Sequence, residues 1–369
     1  MESSGVQKYP WYDYEKDARG KKYYKSIIRT MKLTGYLMFV YPPFALIGII
    51  FVLRNLPGIA ILLFIYWAPF YFLLRSRFKK DRAFKGLSIT FLKYATKSPV
   101  GITYWKSAAF TMFAIFVMYL FASLSLQWYE GVIFIVVALA VVYFILFRFS
   151  WIGVFASNSV ELESPEIIAS VKDIESEAGL PEVNFRVMKA SEFKIANAFC
   201  YGIFTPVVYI TDYLLENISR NEAIAVLSHE LGHVKYRDTL KKGVPPMVCF
   251  SIAGIITTVV GLAFANYIPF PPLRTIFAPI YAAVIIILFA GVFIPALASS
   301  RREFRVDRFA AKYSDAPDFI SALAKITFLN YAPLSGISRT RRGLIARINR
   351  IEKYSKDLGQ NEKIHIEQQ

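Results

Sequence analysis

The chain has 369 residues, of which 55% are hydrophobic and 16% aromatic, and its formal net charge is +16 at pH 7. This apolar share lies outside the usual range of soluble globular proteins, so the composition predicts a membrane protein and excludes an ordinary soluble enzyme. A charge of this size is also typical of nucleic-acid-binding proteins, but its placement along the chain argues against that class.

Six apolar runs are long enough, or nearly so, to cross the ~30 Å hydrocarbon core of a bilayer as helices. Pro42 and Pro43 interrupt the first run, and the second and fourth runs are short. The number of spans could therefore differ from six by one. The runs are 35–53, 58–74, 108–126, 131–147, 244–265 and 276–298. We therefore expect a mainly α-helical integral membrane protein with about six transmembrane helices.

Lysine and arginine are concentrated on one side of the predicted spans. Eight of them precede the first run, from Lys8 to Lys32, and nine lie between the second and third runs, from Arg75 to Lys106. By the positive-inside rule, the N-terminus, this middle segment and the C-terminal tail face the cytosol. The basic residues are thereby explained by membrane topology and anionic headgroups, and we expect no nucleic-acid partner.

These features divide the chain into membrane-spanning and cytosolic parts. In chain order they are a basic cytosolic segment (1–34), four spans (35–150) with a basic cytosolic loop (75–107), a cytosolic segment (157–243), a two-span hairpin (244–298) and a second cytosolic segment (299–369).

The first cytosolic segment is predicted to be mixed α/β. A helix comes first, and strand-forming residues follow at 185–187 and 207–210. Ser219 and Glu222 then have the spacing of a capping box, which predicts a second helix that continues to about Asp238.

The second helix carries the sequence SHELGH (residues 228–233), which contains two of the three histidines in the chain. Positions i and i+4 share a helix face, so His229 and His233 can offer two ring nitrogens to one Zn²⁺. Zinc in such a site activates a water, and Glu230 is placed to take up its proton during attack on a peptide carbonyl. The pattern predicts a zinc metallopeptidase, although a chance match with merely hydrogen-bonded imidazoles also fits the spacing.

A catalytic zinc needs a third protein ligand. The residues after His233 lack the glycine and histidine of a metzincin, and the remaining histidine, His365, lies in a polar tail. A carboxylate is therefore favoured, and Glu303 is the best candidate. Asp307 follows it at i+4 and can accept a ring N–H from a ligand histidine, which fixes the tautomer of that ring. A basic flank of the last span would explain the neighbouring arginines but not the two acids.

Two stretches carry a resemblance to a known family. They are NAFCYGIFTPVVYITDYLLENISRNEAIAVLSHELGHVKYRD (197–238) and, after the hairpin, SSRREFRVDRFAA (299–311). Both closely resemble the integral-membrane zinc metallopeptidases that include the HtpX-type proteases and the CAAX prenyl proteases. The resemblance covers about residues 164–350 and leaves the first half of the chain unassigned.

The resemblance implies a gluzincin-type site with one zinc ion per chain. The zinc ligands would be His229, His233 and Glu303, with Glu230 as the catalytic base. Asp307 would hold a ligand histidine in place.

The resemblance also implies roles in substrate binding. Asn197 would lie on an edge strand that pairs with an extended peptide, whereas the residue by itself fits an ordinary turn equally well. Aligning Arg347 with an arginine of the family's C-terminal helix puts Arg341 where members usually carry a histidine. Arg341 or Arg347 would then support the oxyanion, unless this step is supported differently.

The sequence thus predicts a multi-pass zinc endopeptidase of a cell membrane or endoplasmic-reticulum-type membrane. Its partners would be the bilayer and membrane-associated or misfolded polypeptides, cleaved at the cytosolic face. The even number of spans before the motif favours the HtpX type, and processing of a lipidated, CAAX-type C-terminal peptide is the alternative. A non-catalytic zinc-binding scaffold is the alternative outside enzymes, although the retained Glu230 argues against it. The oligomeric state is left open.

Overall fold

A computed structural model of the chain describes residues 12–30, 33, 56–102, 105, 159–202, 205–241, 299–334, 336–338 and 341–367. Five of the six predicted spans lie outside these residues, and the run at 58–74 lies within helix α2 (Leu56–Lys85). None of the helices in the described ranges combines the length and the apolarity needed to cross a bilayer.

Four strands form the central sheet of the described part. They are β1 (Ser159–Glu161), β2 (Asn184–Met188), β3 (Ala198–Tyr201) and β4 (Val207–Thr211). The order in the sheet is β1-β2-β4-β3, with β2 and β4 parallel and the other two pairs antiparallel. The strand segments predicted at 185–187 and 207–210 are confirmed, and β3 forms one edge of the sheet.

Two helices cover one face of this sheet. Helix α4 (Pro165–Glu177) begins with proline in its first turn, where the missing N–H costs no hydrogen bond. After the short helix α5 (Asp212–Leu215), helix α6 (Arg220–Lys235) crosses the same face. Their apolar sides meet the sheet in one buried cluster that includes Val171, Val208, Ile210, Leu227 and Leu231.

The C-terminal helices pack on the far side of α6. Helix α7 (Ser299–Tyr313) and helix α8 (Ala316–Leu329) are followed by the short strands β5 (Gly336–Ser338) and β6 (Arg341–Arg342) and by helix α9 (Leu344–Glu367). A second buried cluster joins these helices to α6 and includes Ala225, Ala310, Phe319, Leu334 and Ile348.

The N-terminal half supplies the third layer, on the opposite face of the sheet. The C-terminal part of α2 and helix α3 (Phe91–Lys97) lie there, and helix α1 (residues 14–30) packs against α2 and against the chain that follows α8. A third buried cluster holds Phe78 and Tyr94 from these helices against Met188 and Tyr209 of the sheet. Residues 75–97, part of the predicted cytosolic loop at 75–107, therefore include helical segments whose apolar side chains pack against the sheet, and their cytosolic placement stays a prediction.

A buried carboxylate ties these N-terminal helices together. Asp81 of α2 is 4% exposed, and it accepts hydrogen bonds from the hydroxyls of Tyr23 on α1, at 2.7 Å, and Tyr94 on α3. Arg77 adds an ion pair, with Nε 3.0 Å from Oδ1 of Asp81. Burial, together with the negative charge of Asp81, raises the pKa of both tyrosines, so they stay protonated and continue to donate.

Glu222 joins the start of α6 to α8. The predicted capping box is confirmed, because Glu222 accepts from the backbone N–H of Ser219 at 2.6 Å and Ser219 Oγ accepts from that of Glu222 at 3.3 Å. The same carboxylate also accepts from Ser321 Oγ and from Lys325 Nζ, at 2.5 and 2.7 Å. Burial on its own raises the pKa of Glu222, but these bonds outweigh that effect and lower it.

Replacing Glu222 with Gln should lower the free energy of unfolding by about 1–3 kcal/mol, because a buried network loses its charge-assisted bonds. The pKa of Glu222 in the folded protein lies below its value in the unfolded chain. The extra stability of the wild type is therefore fully present at pH values above the unfolded pKa, and it is lost as the pH falls through the folded pKa. Thermal unfolding followed by intrinsic fluorescence at several pH values measures both effects.

Glu166→Gln is the matched control, since Glu166 forms an exposed ion pair with Arg220 beside the same helix end. Exposed pairs contribute little, so this control should change the unfolding temperature far less. Equal losses in the two variants would contradict the role given to Glu222.

Candidate metal centre and active site

Helix α6 presents the SHELGH motif toward α7. His229, Glu230 and His233 are 7, 6 and 8% exposed, so all three are buried between the helices. The two imidazole rings lie on successive turns, with centroids 5.1 Å apart and planes at 87°. This spacing places both rings on one side of the helix, as the i and i+4 pattern requires.

Gly232 allows α7 to approach α6 closely. A Cβ atom at this position would lie 2.8 Å from a methyl carbon of Val306 and 3.2 Å from the ring of Phe309. Real Cβ atoms do not come that close to a neighbour, so any larger residue at Gly232 would push α7 outward. The glycine of the motif therefore sets the distance between the two helices.

At this distance Glu303 of α7 faces both histidines. Its Oε2 lies 3.6 Å from Nε2 of His229, and its Oε1 lies 4.0 Å from Nε2 of His233. One ligand atom from each of the three residues lies within 4.8 Å of the others. Zinc bonds of about 2.0–2.2 Å in a tetrahedron require ligand atoms roughly 3.3 Å apart. If the three side chains moved slightly closer together they would fit Zn²⁺, and the fourth position of the tetrahedron would stay open.

His229 is held from behind by Asp307. Its Nδ1 lies 3.1 Å from Oδ1 of Asp307, which is 2% exposed. Arg347 of α9 donates to both oxygens of this carboxylate, at 2.9 Å from Nε and 2.5 Å from a terminal nitrogen. Burial would raise the pKa of Asp307, but Arg347 and His229 outweigh it and lower the pKa. The contact points Nε2 of His229 toward Glu303.

His233 has an equivalent partner that the sequence did not predict. Its Nδ1 lies 2.9 Å from Oδ2 of the fully buried Asp238. Arg305 of α7 donates to the other oxygen of Asp238 at 2.9 Å, and its guanidinium lies 4.0 Å from the ring centroid of Tyr236. Both histidines are thus backed by a carboxylate, and both carboxylates are held by an arginine, the support that metal-ligating imidazoles usually have.

The prediction that α6 continues to about Asp238 was wrong, and for this reason the sequence did not identify Asp238 as a partner of His233. Helix α6 ends at Lys235, and Arg237 adopts a positive φ of 51° that reverses the chain. On a continuous helix, Asp238 would lie about 140° around the axis from His233 and would face away from it. The left-handed turn returns its side chain to the histidine instead, and an acid five residues after the motif was the only local signal.

The carboxylates around His229 control its protonation. Burial lowers the pKa of an imidazole, but Asp307 and Glu303 outweigh this effect and raise the pKa of His229 to about 9. The pKa of Glu303 moves the other way, since burial raises it but His229 lowers it by more. Without a metal ion, His229 and Glu303 therefore form an ion pair at neutral pH.

The other predicted site residues lie in three different places. Asn197 directly precedes β3, and its backbone exchanges hydrogen bonds with Thr211 of β4 at 2.9 and 3.0 Å. Arg347 is engaged with Asp307, as described above. Arg341 is in strand β6, and its side chain, like that of His365, lies outside the described part.

Residues 161–355, more than half of the chain, match the model of the family described as Peptidase family M48. This chain belongs to peptidase family M48. The resemblance found in the sequence is thereby confirmed, and membership of this metallopeptidase family implies a metal ion, typically zinc, which the His/His/Glu cluster fits.

Relatives and a solved structure agree with this assignment. The chain is 28% identical to a protease HtpX homolog of Moorella thermoacetica over 59% of its own length and 75% of the relative's. It is 33% identical to a protease HtpX homolog of Thermococcus kodakarensis over 47% of its own length and 61% of the relative's. The chain therefore spans only about three fifths of that relative. The crystal structure of S. mikatae Ste24p shares the fold, with a TM-score of 0.56 and 17% identity over 93% of this chain and 90% of that one.

Zinc binding to the metal-free protein at pH 7 should release about one proton per ion. His229, with its pKa of about 9, carries a proton that the metal must displace, so affinity should rise with pH up to that value. Calorimetric titration in two buffers of different ionisation enthalpy counts the protons. In Asp307→Asn the pKa of His229 should fall and the release at pH 7 should shrink; an unchanged release would refute this account.

Asp238→Asn should weaken zinc binding by about 10–100-fold, because the buried acceptor that orients His233 loses its charge. Competition with a chromophoric chelator measures the change. Asp173→Asn, at an exposed position on α4, is the control and should stay within about twofold of wild type. If both variants bind zinc alike, Asp238 does not support the metal.

Proposed function

We propose that this chain is a zinc-dependent endopeptidase held in a membrane, and that it cleaves membrane-associated or misfolded polypeptides at the cytosolic face. The observation that carries the proposal is the convergence of His229, His233 and Glu303, with Glu230 buried beside them, in a member of family M48. One zinc ion per chain would occupy this cluster.

When bound, zinc supplies the electrophile that acidifies a water and polarises the peptide carbonyl. Glu230 follows His229 directly on α6, where its carboxylate can take the proton of the attacking water and pass it to the leaving amine nitrogen. Asp307 and Asp238 act earlier, because they keep both Nε2 atoms turned toward Glu303. Arg347 lies close enough to interact electrostatically with Glu230 as well as with Glu303.

Extended peptide substrates would bind along β3. This strand pairs with β4 on one side and ends the sheet on the other, which suits strand addition by a substrate backbone. Asn197 stands at the start of this edge and is our candidate for a substrate contact. Arg341 is the candidate for oxyanion support, whereas Arg347, already bonded to Asp307, is better suited to positioning His229.

The apolar runs of the sequence support the membrane placement. The hairpin at 244–298 separates the two ligand helices, so His233 comes eleven residues before it and Glu303 five residues after it. Glu303 lies on α7, so at about 1.5 Å per helical residue it would stand roughly 8 Å from the end of the hairpin, and the metal would lie near the bilayer surface. The basic segments before the first run and after the second support a cytosolic position for the N-terminus and the site.

Glu230→Gln should keep zinc binding and lose proteolysis by about a thousandfold or more, because the general base is removed while the three ligands stay. Metal content is measured by elemental analysis, and cleavage is followed on an unfolded membrane protein and on a prenylated C-terminal peptide. Chelation of zinc should abolish cleavage by the wild type.

Three results would change the proposal. Unchanged cleavage by Glu230→Gln would remove the mechanism, and zinc binding without any cleavage would favour the scaffold. Cleavage of the prenylated peptide alone would favour processing of lipidated proteins. Glu182→Gln, the same substitution at an exposed position, serves as the control, and its activity should stay close to that of the wild type.

A further inference from the structure

A cavity of about 380 Å³ lies against the last three turns of α2, on the N-terminal side of the molecule. It is separate from the metal centre and shares no residue with it. Its lining residues are Arg75, Phe78, Lys79, Arg82, Ala83 and Phe91.

Three cations line one side of this cavity. Arg75, Lys79 and Arg82 follow each other at i, i+4 and i+7, so they share one face of α2, and all three are exposed. Within the described ranges none of them forms an ion pair, whereas Arg77, on another face of the same helix, pairs with Asp81. Like charges at this spacing repel one another, so this face favours an anion.

Aromatic side chains form the other side. The rings of Phe78 on α2 and Phe91 on α3 lie with centroids 5.5 Å apart, and the ring of Tyr71 lies 5.6 Å from that of Phe91. Tyr71 and Phe72 are 43 and 64% exposed, and they stand one turn before Arg75, at the end of the apolar run 58–74. Exposed aromatic side chains next to basic ones are typical of the membrane interface.

We propose that this cavity binds the headgroup of an anionic phospholipid from the leaflet in which the apolar run of α2 ends. Arginine and lysine suit a phosphate, since guanidinium groups bond two of its oxygens at once and lysine adds a mobile charge. The acyl chains would then lie along Tyr71 and Phe72. The proposal rests on the membrane placement proposed above and not on peptidase activity.

The position of the cavity links the lipid to the catalytic sheet. Phe78 and Phe91 belong to the same apolar cluster as Met188 and Tyr209, which lie on the sheet face opposite α6. A headgroup that neutralises the three cations would relieve repulsion on α2 and stabilise its packing on that face. Lipid binding is therefore measurable as an increase in the unfolding temperature.

The test uses the full-length, zinc-loaded protein in a neutral detergent, with thermal unfolding followed by intrinsic fluorescence. Phosphatidylglycerol should raise the unfolding temperature in a saturable way, and phosphatidylcholine should not. Inorganic phosphate at the same concentration should have little effect, because it lacks the chains that contact the aromatic wall. The triple variant R75Q/K79Q/R82Q should weaken the apparent affinity for phosphatidylglycerol at least tenfold.

The control variant K22Q/K25Q/R29Q removes the same number of charges from the exposed side of α1, and it should change that affinity less than threefold. The single variant K79Q, expected to lose about fivefold, keeps the test decisive if the triple variant unfolds.

If both triple variants lost the same affinity for phosphatidylglycerol, general charge attraction would explain the binding and the proposal would be overturned. An equal response to phosphatidylcholine would do the same, and saturation by phosphate would replace the lipid with a free anion. E230Q, which lacks the base, should bind phosphatidylglycerol like the wild type, so failure of the peptidase proposal and failure of this one are separable.

Discussion

The close crossing of α6 and α7 at Gly232 is the contact on which the metal centre depends. His229 and His233 are only two imidazoles on a helix until α7 comes near enough to place Glu303 against both. The absence of a side chain at Gly232 makes that approach possible. Because the same helix pair also carries Arg305 and Asp307, one packing distance sets the position of the third candidate ligand and the support of both histidines.

Local patterns predicted the parts of the site that depend on a single helix. The histidine spacing, the neighbouring Glu230 and the capping box are properties of α6 alone, so their positions followed from periodicity. Glu303 was identified by chemistry, since a third ligand was needed and histidine was scarce. Asp238 was missed because its contact depends on the left-handed turn at Arg237, which no periodic pattern indicates.

The contacts of the N-terminal half with the sheet are a second feature that the sequence did not predict. Its cations are distributed as the predicted membrane topology requires, and that distribution says nothing about the apolar residues among them. Phe78 and Tyr94 occupy the core under the sheet, and Asp81 binds three helices from a buried position. Phe78 packs with Met188 and Tyr209 more than a hundred positions away, and neither spacing nor composition predicts a partner at that distance.

The charges described around the candidate site suit a divalent cation. Four carboxylates, those of Glu230, Asp238, Glu303 and Asp307, lie in or against the cluster, and two guanidinium groups face them. With neutral imidazoles, two negative charges remain, which one Zn²⁺ would neutralise. In the metal-free form, the neighbouring carboxylates of Asp307 and Glu303 favour a proton on His229, and this is why its pKa rises to about 9 despite its burial. Arg347 opposes this effect, because its positive charge lowers the pKa of His229; without it, protons would compete more strongly with the metal for that histidine.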